Sequence, residues 1–455
     1  MFRLSRWLVV LGVSTLFLVS WLSAANREDS SSYGEMKALP QGERTHAKQR
    51  NEWRLSQSIP GGAWENVIGW AKPQDSVRIA VLPRGVNPKA VMGRLRADGE
   101  IVAEFTIPGT MAWVDREISL PIKSPAEISV EWESRLGFRL AWCEIARPRA
   151  ERPNVLIVLV DTLRQDRLSC YGYPRATTPC IDALTRDAVR FTQLVPQSSW
   201  TRPSVASLLT SCYPNVHGAI DRNTLMRNGL PTLADSLRSA GYETHAIMSN
   251  PSCLPYWNIG NEFDRVLDRV EQDAAKQDDA VLINETIRTV SMVRCRPWFL
   301  YVHLMGPHSP YVPREPYRSM FCSTNTEASP KDMQSLLNAY DAEIAYTDAQ
   351  VGRLIDRLKQ EGLYDNTCIV LLADHGEQFY EHGEWGHGIS LYEEELRVPL
   401  VIKFPHNRFA GKTVHEILES VDIAPTLCEI VGTPPDPRFQ GHSIMAWLEK
   451  DQPPE

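Results

Sequence analysis

The 455-residue sequence predicts an α/β protein, a mainly parallel sheet covered by helices, with a small β-sandwich ahead of it. Three observations carry this. Asn154–Val160 (NVLIVLV) is an unbroken apolar run, the pattern of a strand buried on both faces. Beyond it, strand candidates at Glu243–Met248, Trp298–His303, Thr367–Leu372 and Val398–Phe404 alternate with helical stretches around 180–189, 204–210, 231–240, 272–294, 331–360 and 422–431. Before it, from about Trp53 to Ala146, short alternating runs such as Val77-Arg78-Ile79-Ala80-Val81 and Ile128-Ser129-Val130-Glu131-Trp132 are broken by Gly and Pro, as in an antiparallel sandwich.

The remaining segments follow from composition. Residues 1–25 place Arg3 and Arg6 ahead of an apolar stretch, Trp7 to Leu22, that meets Ser23-Ala24-Ala25. That order of basic, apolar and small residues reads as a secretory signal peptide, or as an uncleaved N-terminal anchor to the membrane. Either way the body is expected outside the cytoplasm, in the periplasm, outside the cell or on the outer face of a membrane. Residues 26–52 are polar and read as a flexible linker, 53–148 as the β-rich accessory domain, and 153–448 as the α/β domain. A net charge of −8 argues against a nucleic-acid partner. Nine cysteines, an odd number without a CxxC, form no disulfide framework; they read as small buried hydrophobes with one or two bridges at most.

In open parallel sheets, ligands bind beyond the carboxyl ends of the strands, and four groups of residues fall there. Asp161 follows Asn154–Val160 directly and is placed to hold a hard cation, although a lone aspartate there is more often a helix cap. Asp374-His375-Gly376-Glu377 follows Thr367–Leu372, offering an oxygen and an imidazole donor on adjacent residues, with Gly376 easing the turn. Two acidic strand ends in one sheet favour a shared metal over two separate caps.

Thr201 lies in Ser198-Ser199-Trp200-Thr201-Arg202-Pro203-Ser204, at the N-terminus of a helix whose first turn accommodates Pro203. Backbone N–H groups and the helix dipole favour an anion at such a terminus. A threonine hydroxyl is a weak nucleophile until a divalent cation turns it into an alkoxide; the plainer alternative is a Thr N-cap. Loop histidines complete the set: His308 in Gly306-Pro307-His308-Ser309-Pro310-Tyr311, and His382 and His387 shortly after Asp374. Histidines there are suited to holding a tetrahedral anion or protonating a leaving oxygen.

Together these segments resemble the sulfatase family of the alkaline-phosphatase superfamily over roughly residues 153–448. Thr201-x-Pro203-Ser204 running to Leu208-Leu209-Thr210 is similar to the family's Cys/Ser-x-Pro-Ser-Arg…Leu-Leu-Thr-Gly signature. Thr178-Pro179-x-Ile181-Asp182-x-Leu184, Pro307-His308-x-Pro310-Tyr311, Asp374-His375-Gly376, Arg397-Val398-Pro399-Leu400 and Asp422-Ile423-Ala424-Pro425-Thr426 follow in the family's order. The resemblance implies a sulfatase-like fold in which Asp161, Asp374 and His375 hold one divalent cation and Thr201 completes its shell. It implies that His308 and His387 contact the anionic ester, and it brings Asn250 near a substrate-binding segment.

Three departures change the expected chemistry. Thr201 is neither the Cys nor the Ser that sulfatases convert to formylglycine, so no formylglycine is expected. Val205 replaces the signature Arg, leaving Arg202 as an alternative substrate guanidinium, and the paired Asp-Asp reads Asp161-Thr162. With fewer carboxylates and one histidine, the site suits Mn²⁺ or Zn²⁺ better than Ca²⁺. The expectation is a hydrolase of small-molecule, glycan or lipid-derived anionic esters, more of the phosphodiester or phosphonate type, with Thr201 as nucleophile and His387 or His308 assisting the leaving group. A true sulfuric ester hydrolase, a related transferase and a non-catalytic glycan- or envelope-binding relative stand as the alternatives.

Overall fold

A computed structural model describes residues 152–450 apart from 269–277, 294–295 and 323–331, together with the strands between Lys37 and Ala146 and several of the turns joining them. Residues 1–36, which contain the expected leader, lie outside the described residues. Among the described residues no helix is long and apolar enough to cross a membrane.

The α/β region is built on strands β1 (Asn154–Val160), β2 (Val189–Val195), β3 (Glu243–Met248), β4 (Arg265–Asp268), β5 (Trp298–Leu304), β6 (Thr367–Leu372) and β7 (Val398–Lys403). Their spatial order is β2-β7-β6-β1-β5-β3-β4. From β6 to β4 every pairing is parallel, while β7 runs antiparallel to both its neighbours. Strands β1, β3, β5, β6 and β7 are buried along their whole length, and all but β3, which opens with Glu243, Thr244 and His245, are predominantly apolar rather than alternating. The helices between them include α1 (Thr201–Thr210), α2 (Leu233–Ser239), α3 (Asp279–Met292), α4 (Met333–Gln360) and α5 (Ile423–Ile430). The expected mixed architecture with a central, mostly parallel sheet is therefore present.

Two features ahead of β1 differ from the sequence reading. The stretch read as a flexible linker contains strands Lys37–Ala38 and Thr45–Gln49, the second pairing antiparallel with Glu52–Ile59. Backbone hydrogen bonding at a sheet edge gives order that a polar composition hides. Second, Glu52–Ile59 also pairs antiparallel with β4, so a β-sheet of the N-terminal region continues the edge of the central sheet. The other N-terminal sheet joins Gly62–Ala71, Ala126–Ser134, Val91–Ala97 and Glu100–Ile107, and buries Val91, Leu95, Ile128, Val130 and Trp132.

Seven cysteines (Cys170, Cys180, Cys212, Cys253, Cys322, Cys368 and Cys428) are free thiols, so no bridge occurs among the described side chains. The core of the α/β region is large enough to need no covalent staple.

Candidate active site

Strand register brings the first residues together. Leu159 is level with Leu372 on β6 and with His303 on β5, and His303 is level with Met248 on β3. Two residues further along each strand, side chains return to the same face, so Asp161, Asp374 and Asn250 emerge in one row at the carboxyl edge. The row is dry: Asp161 and His375 are fully buried, and Asp374 is 3% exposed.

Asp161 Oδ2 accepts hydrogen bonds from Asn250 Nδ2 at 2.8 Å and His303 Nε2 at 3.0 Å. Asp374 Oδ1 accepts from the backbone N–H of His375 at 3.0 Å and of Thr162 at 3.4 Å. The other oxygen of each carboxylate, Asp161 Oδ1 and Asp374 Oδ2, is buried with no hydrogen-bond partner. Both lie close to His375 Nε2, at 3.5 and 3.4 Å. His375 Nδ1 lies 2.9 Å from the Gly376 carbonyl, which can only accept, so Nδ1 carries the proton and Nε2 presents its lone pair. Two orphaned carboxylate oxygens close to one imidazole lone pair make a donor set that fits a divalent cation. Asp161, His303 and Asp374 also satisfy the spacing of a metal site, but His303 Nε2 is engaged with Asp161 Oδ2, which suits orientation of that carboxylate.

The electrostatics set the two carboxylates apart. Burial pushes the Asp374 carboxyl well above the usual carboxylate range, and the charge of Asp161 adds to the push. Burial acts the same way on Asp161, but the His303 hydrogen bond and the neighbouring imidazoles hold it well below that range. His375 is pushed down to about 3 by burial, with His387 adding to the effect, and therefore stays neutral.

Thr201 opens α1, whose N-cap is Trp200 with no side-chain cap, so Thr201 is not the N-cap threonine of the plainer alternative. Its Oγ1 lies 3.2 Å from His375 Nε2, at the mouth of the carboxylate pair. Ser204 Oγ donates to the Ser198 carbonyl at 2.8 Å and ties the first turn to the loop before it.

His387 and His308 stand beside this cluster. The ring centroids of His375 and His387 are 4.4 Å apart, and those of His387 and His308 are 5.1 Å apart. His387 Nδ1 is 2.8 Å from Glu377 Oε1. Burial alone would lower its pKa, but the Glu377 hydrogen bond and charge raise it above the ordinary imidazole value. The loop after His387 is pinned by Glu395, which accepts from the backbone N–H groups of Gly388 (2.7 Å) and Ser390 (3.1 Å). On the other side, Asp279 accepts from Met305 N and Gly306 N at 2.9 and 3.1 Å and anchors the turn leading to His308.

Three expected placements change. Arg202 does not face the carboxylates: its guanidinium donates to the carbonyls of Ser252, Asp221 and Thr224 and stacks on Trp257. The reason is helical direction, since the residue after Thr201 projects to a different face of α1. Asn250 is engaged with Asp161 and Ser252. Its amide supports Asp161, and its Oδ1 accepts from Ser252 N at 2.8 Å as a cap. His382 lies apart, stacked on Tyr392 at 3.5 Å. Gly376, expected for its backbone freedom, is required for space: a Cβ there would sit 1.9 Å from the Glu394 carbonyl oxygen.

Residues given no role from sequence support the cluster. His303 and Glu377 are two of them; a lone histidine in an otherwise uncharged strand, and a glutamate two residues after His375, were the available signals. Thr162, at the position of the family's second Asp, has φ of 58°, a left-handed conformation that a β-branched residue rarely adopts. Tyr340 Oη donates to its carbonyl at 2.6 Å and holds it there.

Comparison with known proteins places this arrangement. The Sulfatase family profile matches residues 153–433, more than half of the chain. The chain is 22% identical over 414 residues to an N-acetylglucosamine-6-O-sulfatase of Bacteroides thetaiotaomicron, the match covering 69% of this chain and 74% of that protein. It is 25% identical over 350 residues to a choline-sulfatase of Rhizobium meliloti, covering 62% and 68%. Among solved structures it is similar to a phosphonate monoester hydrolase of Agrobacterium radiobacter (TM-score 0.59, 25% identity, covering 66% and 78%). It shares the fold of the C-terminal periplasmic domain of EcEptC from Escherichia coli, a complex with Zn (TM-score 0.53, 20% identity, covering 64% and 85%). With this match and these strand-end residues, the chain belongs to the sulfatase family of ester hydrolases, within the alkaline-phosphatase superfamily.

Proposed function

We propose that the protein is an exported, metal-dependent hydrolase of phosphodiesters or phosphonate monoesters in which Thr201 is the nucleophile. The observation that carries this reading is the position of Thr201 Oγ1, 3.2 Å from the lone-pair nitrogen of His375 and at the N-terminus of a buried helix. Asp161, Asp374, His375 and Thr201 would hold the cation, with Mn²⁺ or Zn²⁺ favoured by the mixed oxygen and nitrogen donors. Bound there, it would lower the hydroxyl's pKa and neutralise charge on the reacting group. The N–H groups opening α1 belong to the turn that carries Thr201 and would favour the ester's non-bridging oxygens. His387 and His308 flank that space and are the candidates to protonate the leaving oxygen. Residues 153–448 form the catalytic unit in this reading, with 53–148 as an accessory β-domain.

The preference for phosphorus follows from the threonine. A phosphorylated hydroxyl is open to attack by water at phosphorus. A sulfated Thr201 lacks the second hydroxyl that lets formylglycine expel sulfate. The structural likeness to a phosphonate monoester hydrolase supports this branch, while the likeness to N-acetylglucosamine-6-O-sulfatase and choline-sulfatase supports a second reading, sulfate ester hydrolysis by direct water attack.

Assays of the purified protein with Mn²⁺, Zn²⁺ or Ca²⁺ on aryl sulfate, phosphodiester, phosphonate monoester and phosphomonoester substrates separate the two. The expected result is fastest turnover of the diester or phosphonate, with kcat lowered by about 10³-fold or more in Thr201→Ala and Asp374→Ala. Turnover of sulfates alone, or full activity in Thr201→Ala, would overturn the proposal.

A further inference from the structure

We infer that Tyr340 is a positioning residue for the cation site: it holds Thr162 in a left-handed conformation that fixes the Asp374 carboxylate in advance of cation binding. The inference rests on the reading of Asp161, Asp374 and His375 as cation ligands.

Thr162 follows Asp161 at the carboxyl end of β1 and has φ of 58°. That conformation is costly for a β-branched residue and persists only where neighbours hold it. Its own hydroxyl stays within the turn, where Oγ1 donates to the Asp161 carbonyl at 2.7 Å. The long-range hold comes from α4. Tyr340 Oη donates to the Thr162 carbonyl at 2.6 Å and accepts from the Arg164 backbone N–H at 2.9 Å. One hydroxyl thus clamps both ends of the turn from Thr162 to Arg164. Thr162 and Tyr340 are fully buried, so losing that hydroxyl would leave a carbonyl and an N–H unpaired away from solvent. The phenol ring is fixed in turn, packed on Phe379 and Tyr311 with ring centroids at 4.9 and 5.8 Å.

The consequence falls on Asp374. Its Oδ1 accepts from the Thr162 N–H at 3.4 Å and from the His375 N–H at 3.0 Å. With both donors on Oδ1, Oδ2 has no hydrogen-bond partner and lies 3.4 Å from His375 Nε2. The carboxylate is therefore oriented by backbone rather than by a ligand. Were Thr162 to move to negative φ, the peptide planes on either side would turn and its N–H would leave Oδ1. A carboxylate free to rotate must be ordered on binding, and that ordering subtracts from affinity. Removing a group that orients a metal ligand typically weakens binding by about 10–100-fold. Glycine reaches this φ without support, which separates the conformation from the clamp.

A double-mutant cycle tests this by calorimetric titration of the metal-free protein with Mn²⁺ and with Zn²⁺. Tyr340→Phe is expected to raise Kd about 10–100-fold, and Thr162→Gly to leave it within about threefold of wild type. In the Thr162→Gly background, Tyr340→Phe should raise Kd by less than about threefold, because the clamp has nothing left to hold. A hydroxyl that served stability alone would lower the melting temperature in both backgrounds and leave Kd unchanged.

An unchanged Kd in Tyr340→Phe, or the same loss in both backgrounds, would overturn the inference. Should Tyr340→Phe fail to fold, the double variant decides: Kd within about threefold of Thr162→Gly is expected, and a tenfold weaker Kd would overturn the inference. Wild type that binds neither cation would remove the reading of the site together with the inference. Wild type that binds a cation but hydrolyses no ester would remove the proposed activity and leave this comparison intact.

Discussion

The guanidinium carbon of Arg202 lies 3.6 Å from the ring centroid of Trp257, and its nitrogens donate to three backbone carbonyls, those of Ser252, Asp221 and Thr224. One side chain thereby joins the first turn of α1 to the loop after β3 and to the segment around residue 221. Charge-assisted bonds and cation–π stacking at a site only 3% exposed stabilise that junction.

Arg202→Met is therefore expected to cost about 1–3 kcal/mol of stability while changing KM by less than about threefold. Thermal or denaturant unfolding beside steady-state kinetics checks this. A tenfold rise in KM with stability unchanged would return Arg202 to the substrate.

Metal removal should act on both activity and stability. A chelator is expected to abolish turnover, and Mn²⁺ or Zn²⁺ at about 100 times its Kd to restore it with about 2.7 kcal/mol of added stability. The sign with pH follows from Asp374, whose folded pKa is raised well above 3.8 by burial and by Asp161. Above that ordinary value the unfolded chain releases a proton that the folded, cation-free chain retains, so the cation-free protein loses stability as pH rises. The cation supplies the balancing charge, so at one fixed metal concentration its stabilisation should be larger near about pH 8 than near about pH 5. Melting temperatures with chelator and with metal at both pH values provide the measurement; an equal increment at each would contradict the account.

His217 gives the opposite slope on the acid side. It is fully buried, its Nδ1 accepts from Ala219 N at 3.1 Å, and burial lowers its pKa from 6.5 to about 4. A depressed imidazole contributes stability present above pH 6.5 and lost as pH falls towards about 4, here by about 3 kcal/mol. His217→Gln should flatten the fall in urea-unfolding free energy over that window. An unchanged fall would mean that other groups carry the acid sensitivity.

Much of the α/β architecture was legible in the chain itself. β1, β3 and β6 begin and end where the sequence reading set them; for β1 and β6 an apolar run marks the strand, as expected where both faces are buried. The strand-end carboxylates Asp161 and Asp374 were legible for the same reason: each is the first acidic residue after such a run. Order within 26–52 was not legible, since the bonds between Thr45–Gln49 and Glu52–Ile59 are made by backbone that composition does not report.

By itself the sequence determined which chemistry is at hand: strand-end carboxylates, a threonine where formylglycine would need Cys or Ser, and a family signature around it. Tertiary structure decided which residues meet. Register alone sets Asp161, Asp374 and Asn250 in one row, and packing alone turns Arg202 away and puts Glu377 behind His387. Side chains more than a hundred residues apart converge through strand pairing and loop anchoring, and those long-range contacts leave no local pattern along the chain.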